Sequence, residues 1–270
     1  GEKYGLHTRV FITSQGIPTY EAKDLGLAEL KYKKYPYDIS VVVTGSEVKE
    51  YFKVMHKAME LTYPSLAEKT VHVPHGMLRL PSGKMSSRTG DVIAAEWLIE
   101  EAKKLILEKM KDADISDKEE VAQGIAVGAI KYSILKNAIG NDIIFDFDMS
   151  LSFEGSSGPY LQYTYARALS VLAKAEKRGT TQNVDGTTPT DTGYVDRLLY
   201  RFPEIVSFAR KENAPQHIAT YLIELAQAFN NFYAKEHIAD SPYRLALTAS
   251  VATVLKNGLW LLGIKAPERM

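Results

Sequence analysis

The 270-residue sequence contains no cysteine. That excludes a disulfide framework, a thiolate metal site and a cysteine nucleophile, and it fits a reducing, cytoplasmic setting. Long apolar runs are missing too. The longest nearly continuous stretch, Gly258 to Ile264, falls far short of the roughly 20 residues that span a bilayer, and no signal-like segment opens the sequence. A soluble protein without membrane contact is expected. Net charge is also absent: 33 Lys and Arg balance 33 Asp and Glu, so bulk charge alone does not hold nucleic acid, although local patches remain open. From Leu151 onward 13 basic residues face 11 acidic ones, an asymmetry too small to name a partner. What is present is apolar content, 45% against 24% charged, enough to bury one large core or two ordinary ones.

Periodicity divides the chain into a mixed α/β part and a helical part. Asp38 to Thr44 (DISVVVT) is a short β-branched run, followed by Gly45-Ser46 and then Val48, Tyr51, Phe52, Met55 and Met59 at helical spacing. A strand this apolar belongs inside a parallel sheet, and Met55, Met59 and the aromatics beside them read as core. A second extended stretch, Val71 to Leu80, ends in Pro81-Ser82-Gly83, which opens a polar loop to Asp91. Trp97, Leu98, Ala102, Leu105 and Ile106 then mark one helix face, and Val121, Ile125, Ala129 and Tyr132 another. Asp142 to Phe153 reads as a crossing between domains. Four amphipathic helices follow: Tyr160 to Lys177, Tyr194 to Ala209, Pro215 to Glu236 and Pro242 to Gly263, with Gly179 to Gly193 as an exposed linker. Leu222, Leu225, Ala226, Phe229 and Tyr233 form the clearest apolar stripe. Four such stripes bury one another in a bundle.

The residues with most chemistry lie in Gly83-Lys84-Met85-Ser86-Ser87-Arg88-Thr89-Gly90. A glycine-bounded loop with a lysine, two hydroxyls and an arginine offers cationic charge and backbone N–H groups to a polyphosphate. Composition alone serves a solvated surface loop equally well. Near the start, Tyr20 and Asp24 fall at i,i+4 if Pro18 opens a helix. An aspartate accepts two parallel N–H bonds from a guanidinium, and a tyrosine adds an oxygen or a ring face, so the pair suits arginine; a solvated helix pair is the alternative. His72 and His75 have no obvious third ligand, so no metal site is expected.

The order of these residues adds a resemblance. Lys84-Met85-Ser86-Ser87-Arg88 resembles the KMSKS signature of class I aminoacyl-tRNA synthetases, and the run HGMLRLPSGKMSSRTGDVI resembles the form it takes in arginyl-tRNA synthetases. Gly16-Ile17-Pro18-Thr19-Tyr20-Glu21-Ala22-Lys23-Asp24-Leu25 resembles that family's arginine-recognition segment. Ser152 to Arg167 (SFEGSSGPYLQYTYAR) resembles the loop and helix that open its anticodon-binding domain, and Tyr221 to Glu236, Tyr243 to Leu247 and Leu261 to Met270 resemble its end. The similarity covers essentially the whole chain. There are departures: Ser87 stands where KMSKS has its second lysine, Val48 where a substrate-orienting glutamine is expected, and Pro242-Tyr243-Arg244 where Ala-Leu-Arg is usual.

The resemblance implies the fold class, domains and sites. It implies an α/β plus all-α chain: the C-terminal half of a Rossmann-like catalytic domain (1–95), a helical connecting region (96–150) and a helical anticodon-binding bundle (151–270). Tyr20 and Asp24 would bind arginine. Lys84, Ser86 and Ser87 would be catalytic, and Gly76, Met77, Lys84 and Met85 would bind ATP, with Gly76 and Met77 against adenine by backbone contact. Ser156, Ser157, Tyr160, Tyr163 and Arg167 would face tRNA, the last three shared between RNA and packing. ATP is expected as substrate, with Mg²⁺ as its companion and no protein-ligated metal. No HIGH signature is found, so the chain by itself is expected to lack part of the ATP site and to show little or no arginine activation. A stand-alone RNA-binding module and a non-catalytic scaffold are the other classes.

Overall fold

A computed structural model describes residues 1–81, 94–180 and 193–270. These form two compact units, one of residues 1–77 with 139–142 and the other of residues 78–138 with 143–270.

Unit 1 is α/β. Helix α1 (Tyr20–Lys34) precedes strand β1 (Ser40–Gly45), α2 (Lys49–Thr62), the short α3 (Pro64–Glu68) and strand β2 (Thr70–His75). The two strands pair in parallel, from Ser40 opposite Thr70 to Gly45 opposite His75, which requires the helical crossover that the Val48-to-Met59 spacing foretold. Ala28, Met59, Leu66 and Ala67 form its core, with Leu25, Tyr32 and Tyr63 packed against them. The parallel pairing agrees with the apolar run in β1, but burial on both faces does not: Val41 is 47% and Val43 63% exposed. With β2 as the only paired neighbour among the described residues, alternate valines of β1 reach an uncovered face.

His72 of β2 stacks on Phe52 with ring centroids 4.0 Å apart, and its Nε2 lies 2.8 Å from Thr44 Oγ1. Burial holds its pKa below the ordinary 6.5. For a group depressed in the folded state, the stabilising contribution is complete above the unfolded-state pKa and is lost as pH falls through the folded-state value. Thermal melts at pH 7 and pH 5 are therefore expected to show a smaller acid loss for His72→Gln than for the parent. An equal loss in both would remove His72 from the account.

Unit 2 is almost wholly helical. Strand β3 (Leu78–Arg79) pairs in parallel with β4 (Ile143–Ile144). Helices α4 (Ala95–Lys109) and α5 (Lys118–Leu135) share a core of Ala102, Ile106, Met110, Ala122, Ile125, Ala126 and Ala129, with Leu151. The segment 142–153, expected as a plain crossing, instead forms β4 and a single turn, α6 (Phe147–Ser150), capped by the Asp146 carboxylate accepting from Met149 N–H.

The bundle is built of α7 (Gly158–Lys177), α8 (Tyr194–Glu212), α9 (Gln216–Lys235) and α10 (Pro242–Leu261). Pro159 sits in the first turn of α7, where its missing N–H costs no hydrogen bond. Leu222, Leu225, Ala226 and Phe229 of the α9 stripe are fully buried, but Tyr233, read as its last member, is 41% exposed. Most of the expected linker, residues 181–192, lies outside the described residues.

Candidate functional site

Thr19 precedes the first turn of α1, its hydroxyl donating to the Val10 and Phe11 carbonyls. This starts the helix at Tyr20, two residues after Pro18, and sets Tyr20 and Asp24 one turn apart. Tyr20 is 78% exposed. The Asp24 carboxylate accepts from the Tyr51 hydroxyl at 2.5 Å. Burial first, and then this bond to an anion, push the Tyr51 phenol well above its usual range, so it remains a donor at any working pH. Its spacing alone places Tyr51 in the core. A tyrosine within an aliphatic stripe still carries a hydroxyl that needs a partner when buried, and that was the available signal. Beside it, the Arg9 guanidinium lies 5.6 Å from the Tyr51 ring centroid and 3.7 Å from the Glu21 carboxylate, itself only 9% exposed. This face of α1 and α2 thus already accommodates one guanidinium between an aromatic ring and a carboxylate.

Gly76 and Met77 follow β2. A Cβ on Gly76 would lie 1.7 Å from the Asn141 carbonyl oxygen, so the position admits only glycine. The Gly76 carbonyl lies 2.8 Å from His75 Nδ1, and the Met77 N–H donates to Asp142 Oδ1 at 2.9 Å. An adenine held through these two groups would compete with those partners. Lys84, Met85, Ser86 and Ser87 lie outside the described residues. Val48 caps α2.

The RNA candidates separate by role. Ser157 is buried at 1% and caps α7, accepting from Tyr160 N–H at 3.0 Å while donating to the Ser152 carbonyl. Ser156 shares a hydrogen bond with the Tyr132 hydroxyl. Both are engaged in holding the start of α7. Tyr163 and Arg167, one turn further on, line a cleft of about 640 Å³ together with Lys174, Arg178, Tyr233 and Met270. The Arg167 guanidinium lies 4.7 Å from the Tyr163 ring centroid and 5.3 Å from that of Tyr233. Tyr163 remains 37% exposed. Tyr160 and Asn230 join Tyr163 and Arg167 around an adjoining cavity of about 540 Å³, which Met270 also lines.

The last residues are fixed against the bundle. Gln162, fully buried, donates to the Gly124 and Lys265 carbonyls at 3.2 and 2.7 Å, Lys131 donates to the Gly263 carbonyl, and Lys265 pairs with Glu120 at 2.5 Å. Exposed aromatic rings around a fixed guanidinium give unpaired bases a stacking platform and phosphates a cation.

Comparison with known proteins matches two families in succession along the chain. The family described as tRNA synthetases class I (R), catalytic domain, matches residues 2–147, and the DALR anticodon binding domain matches residues 161–270. The arginine–tRNA ligase of Ligilactobacillus salivarius is 37% identical over 276 residues, covering 100% of the chain and 49% of the relative. That of Levilactobacillus brevis is 38% identical, covering 99% and 49%. The chain therefore spans about half the length of the curated relatives it matches. Among solved structures, Thermus thermophilus arginyl-tRNA synthetase superposes with a TM-score of 0.82 at 31% identity, over 97% of this chain and 51% of that one. The Plasmodium falciparum arginyl-tRNA synthetase, at 21% identity and a TM-score of 0.76, shares the fold.

Proposed function

Since the chain belongs to the class I tRNA synthetases of the arginine type, we propose that it is the part of an arginine–tRNA ligase that carries the phosphate loop, one wall of the arginine site and the anticodon reader. The whole enzyme would join arginine to ATP, release pyrophosphate and transfer the arginyl group to its tRNA. Residues 1–95 would belong to the catalytic domain, 96–150 to a helical connection and 151–270 to the anticodon-binding domain. As an enzyme of translation it would work in the cytoplasm; no helix among the described residues is long and apolar enough to cross a membrane.

Each site takes a definite role in this reading. Asp24 would accept the substrate guanidinium, with Tyr20 supplying a ring face or oxygen. Lys84, with Met85, Ser86 and Ser87, would meet the ATP phosphates, where charge develops as pyrophosphate departs; one well-placed donor of that kind contributes about 3 to 4 kcal/mol of transition-state stabilisation. Gly76 and Met77 would border the adenine. Mg²⁺ would arrive with the nucleotide, held mainly by phosphates and water.

The observation that best supports RNA reading is Arg167 set between the rings of Tyr163 and Tyr233. Tyr163 and Arg167 would touch the anticodon loop, with Ser156, Ser157 and Tyr160 holding the helix that presents them. The test titrates the chain, at fixed moderate salt, against an arginine-accepting tRNA and the same tRNA with its anticodon replaced, following fluorescence anisotropy. Preference for the native anticodon supports the reading, and the chain alone is expected to give no arginine-dependent ATP–pyrophosphate exchange at normal enzyme rates. Weak, strongly salt-dependent binding that ignores the anticodon would favour a scaffold instead.

A further inference from the structure

Asn230 of α9 has no part in the sequence pattern that singled out the RNA face, yet it is bonded to three of that face's residues. Its Oδ1 accepts from Arg167 Nη1 at 2.6 Å, and its Nδ2 donates to the Tyr160 hydroxyl and to Thr164 Oγ1, both at 2.9 Å. Thr164 in turn donates to the Tyr160 carbonyl at 2.8 Å and is fully buried. The chemistry allows only one orientation of the amide. A guanidinium has donors and no acceptor, so the oxygen must face Arg167 and the NH₂ must face the two hydroxyls. The oxygen and both N–H groups are then engaged, and a flip would turn the NH₂ toward the guanidinium and lose the bond to Arg167.

Helical spacing explains why these groups meet. Tyr160, Tyr163, Thr164 and Arg167 recur at three and four along one face of α7, and Asn230 and Tyr233 stand one turn apart on α9. Asn230 holds the guanidinium from one side while the two tyrosine rings border it. An unanchored arginine samples many rotamers and must be ordered by its ligand; one held in advance by a charge-assisted bond loses less freedom on binding.

We infer that Asn230 is a positioning residue for anticodon recognition, fixing the Arg167 guanidinium between Tyr163 and Tyr233 so that it meets the RNA in one orientation. This rests on the reading of the cleft as the anticodon site. Asn230 does not contact the RNA; it acts through Arg167. Its loss leaves the cation in place and removes its aim. The affinity for the right loop falls, while the sequence-independent attraction to phosphates remains.

The test uses the full 270-residue chain and two hairpins, the anticodon stem-loop of an arginine-accepting tRNA and the same stem with the loop replaced. Anisotropy titrations over a salt series are run on the parent, Asn230→Leu, Arg167→Ala and the double variant. Asn230→Leu is expected to weaken the native loop about tenfold, roughly the loss of one charge-assisted hydrogen bond, with the altered loop and the salt slope unchanged. In the Arg167→Ala background it is expected to change nothing further. Asn230→Asp keeps the acceptor for Arg167, so it is expected to retain the parent's preference between loops even if added negative charge weakens both alike. This variant carries the test should the leucine not fold.

Equal loss on both loops with Asn230→Leu, additivity in the double variant, or lost preference with Asn230→Asp each overturns the proposal while leaving the cleft's function standing. A parent that does not distinguish the loops overturns that reading, and the proposal with it.

Discussion

Replacing Gly158 with alanine is expected to lower the melting temperature of the helical unit by roughly 2 to 10 °C. Gly158 is buried at the first position of α7, where a Cβ would lie 2.5 Å from the Gly128 carbonyl oxygen and 3.0 Å from the Ala129 nitrogen of α5. Gly128 is confined from the other side, since a Cβ there would lie 2.8 Å from Gln162 Nε2. The two helices therefore cross backbone to backbone at Gly158, and the atoms its Cβ would meet belong to the α5 backbone and cannot turn away. Relief requires α7 to move off α5. Overpacking of this kind costs about 1 to 3 kcal/mol, more than the fraction of about 1 kcal/mol that alanine recovers in helix propensity. For a unit of this size each kcal/mol shifts the melting point by about 2 to 4 °C.

Gly155→Ala is the control. Nothing lies within 4 Å of a Cβ there, and only the positive φ of 76° resists substitution; its cost is about 1 to 2 kcal/mol. Melts followed by far-ultraviolet circular dichroism measure both costs, and a Gly158→Ala protein within a degree of the parent would show that the crossing yields freely. The displacement has a functional side as well. Gln162 links α7 to Gly124 of α5 and to the Lys265 carbonyl, so moving α7 also disturbs the terminal segment that brings Met270 to the cleft beside Tyr163 and Arg167.

The bundle was legible because its signals are local. Pro159 and Ser157 announce the start of α7, and the three-and-four spacing of Leu222, Leu225, Ala226 and Phe229 fixes the buried face of α9. The same periodicity misled at Tyr233. A stripe says which face a residue occupies but not where the opposing helix ends, and the last turn of α9 passes beyond full cover. Tyr51 failed for a related reason, as period alone cannot distinguish a ring packed in a core from one whose hydroxyl has a carboxylate partner 27 residues away. Asn230 left no trace at all, because its three partners lie 63 to 70 residues distant and no local pattern encodes them. Ser156 and Ser157 show how a motif and a fold can share residues: the hydroxyls expected to face RNA also pack and cap the start of α7.

Asp24→Asn is expected to reduce kcat/KM for arginine by roughly 10²-fold in a complete enzyme that carries this sequence, measured by ATP–pyrophosphate exchange. The change keeps shape and removes charge. A carboxylate can accept two parallel N–H bonds from a guanidinium, whereas an amide offers one oxygen and turns a donor toward the cation. Removing one member of a partly buried, hydrogen-bonded charge pair costs about 2 to 5 kcal/mol, and 3 kcal/mol corresponds to about 10²-fold.

Tyr51→Phe separates positioning from charge. The phenol donates to Asp24 Oδ2 and, with its pKa raised, does not itself ionise in the working range. Its loss leaves the full negative charge of Asp24 and frees only the torsion of the carboxylate, so the expected reduction is about tenfold, the worth of one hydrogen bond to a charged group. Both substitutions are expected to act on arginine and to spare the KM for ATP. Retention of arginine kcat/KM within threefold by Asp24→Asn would exclude this carboxylate as the guanidinium partner. In that event Glu21, which already pairs with Arg9 beside the same tyrosine ring, would be the carboxylate to replace next.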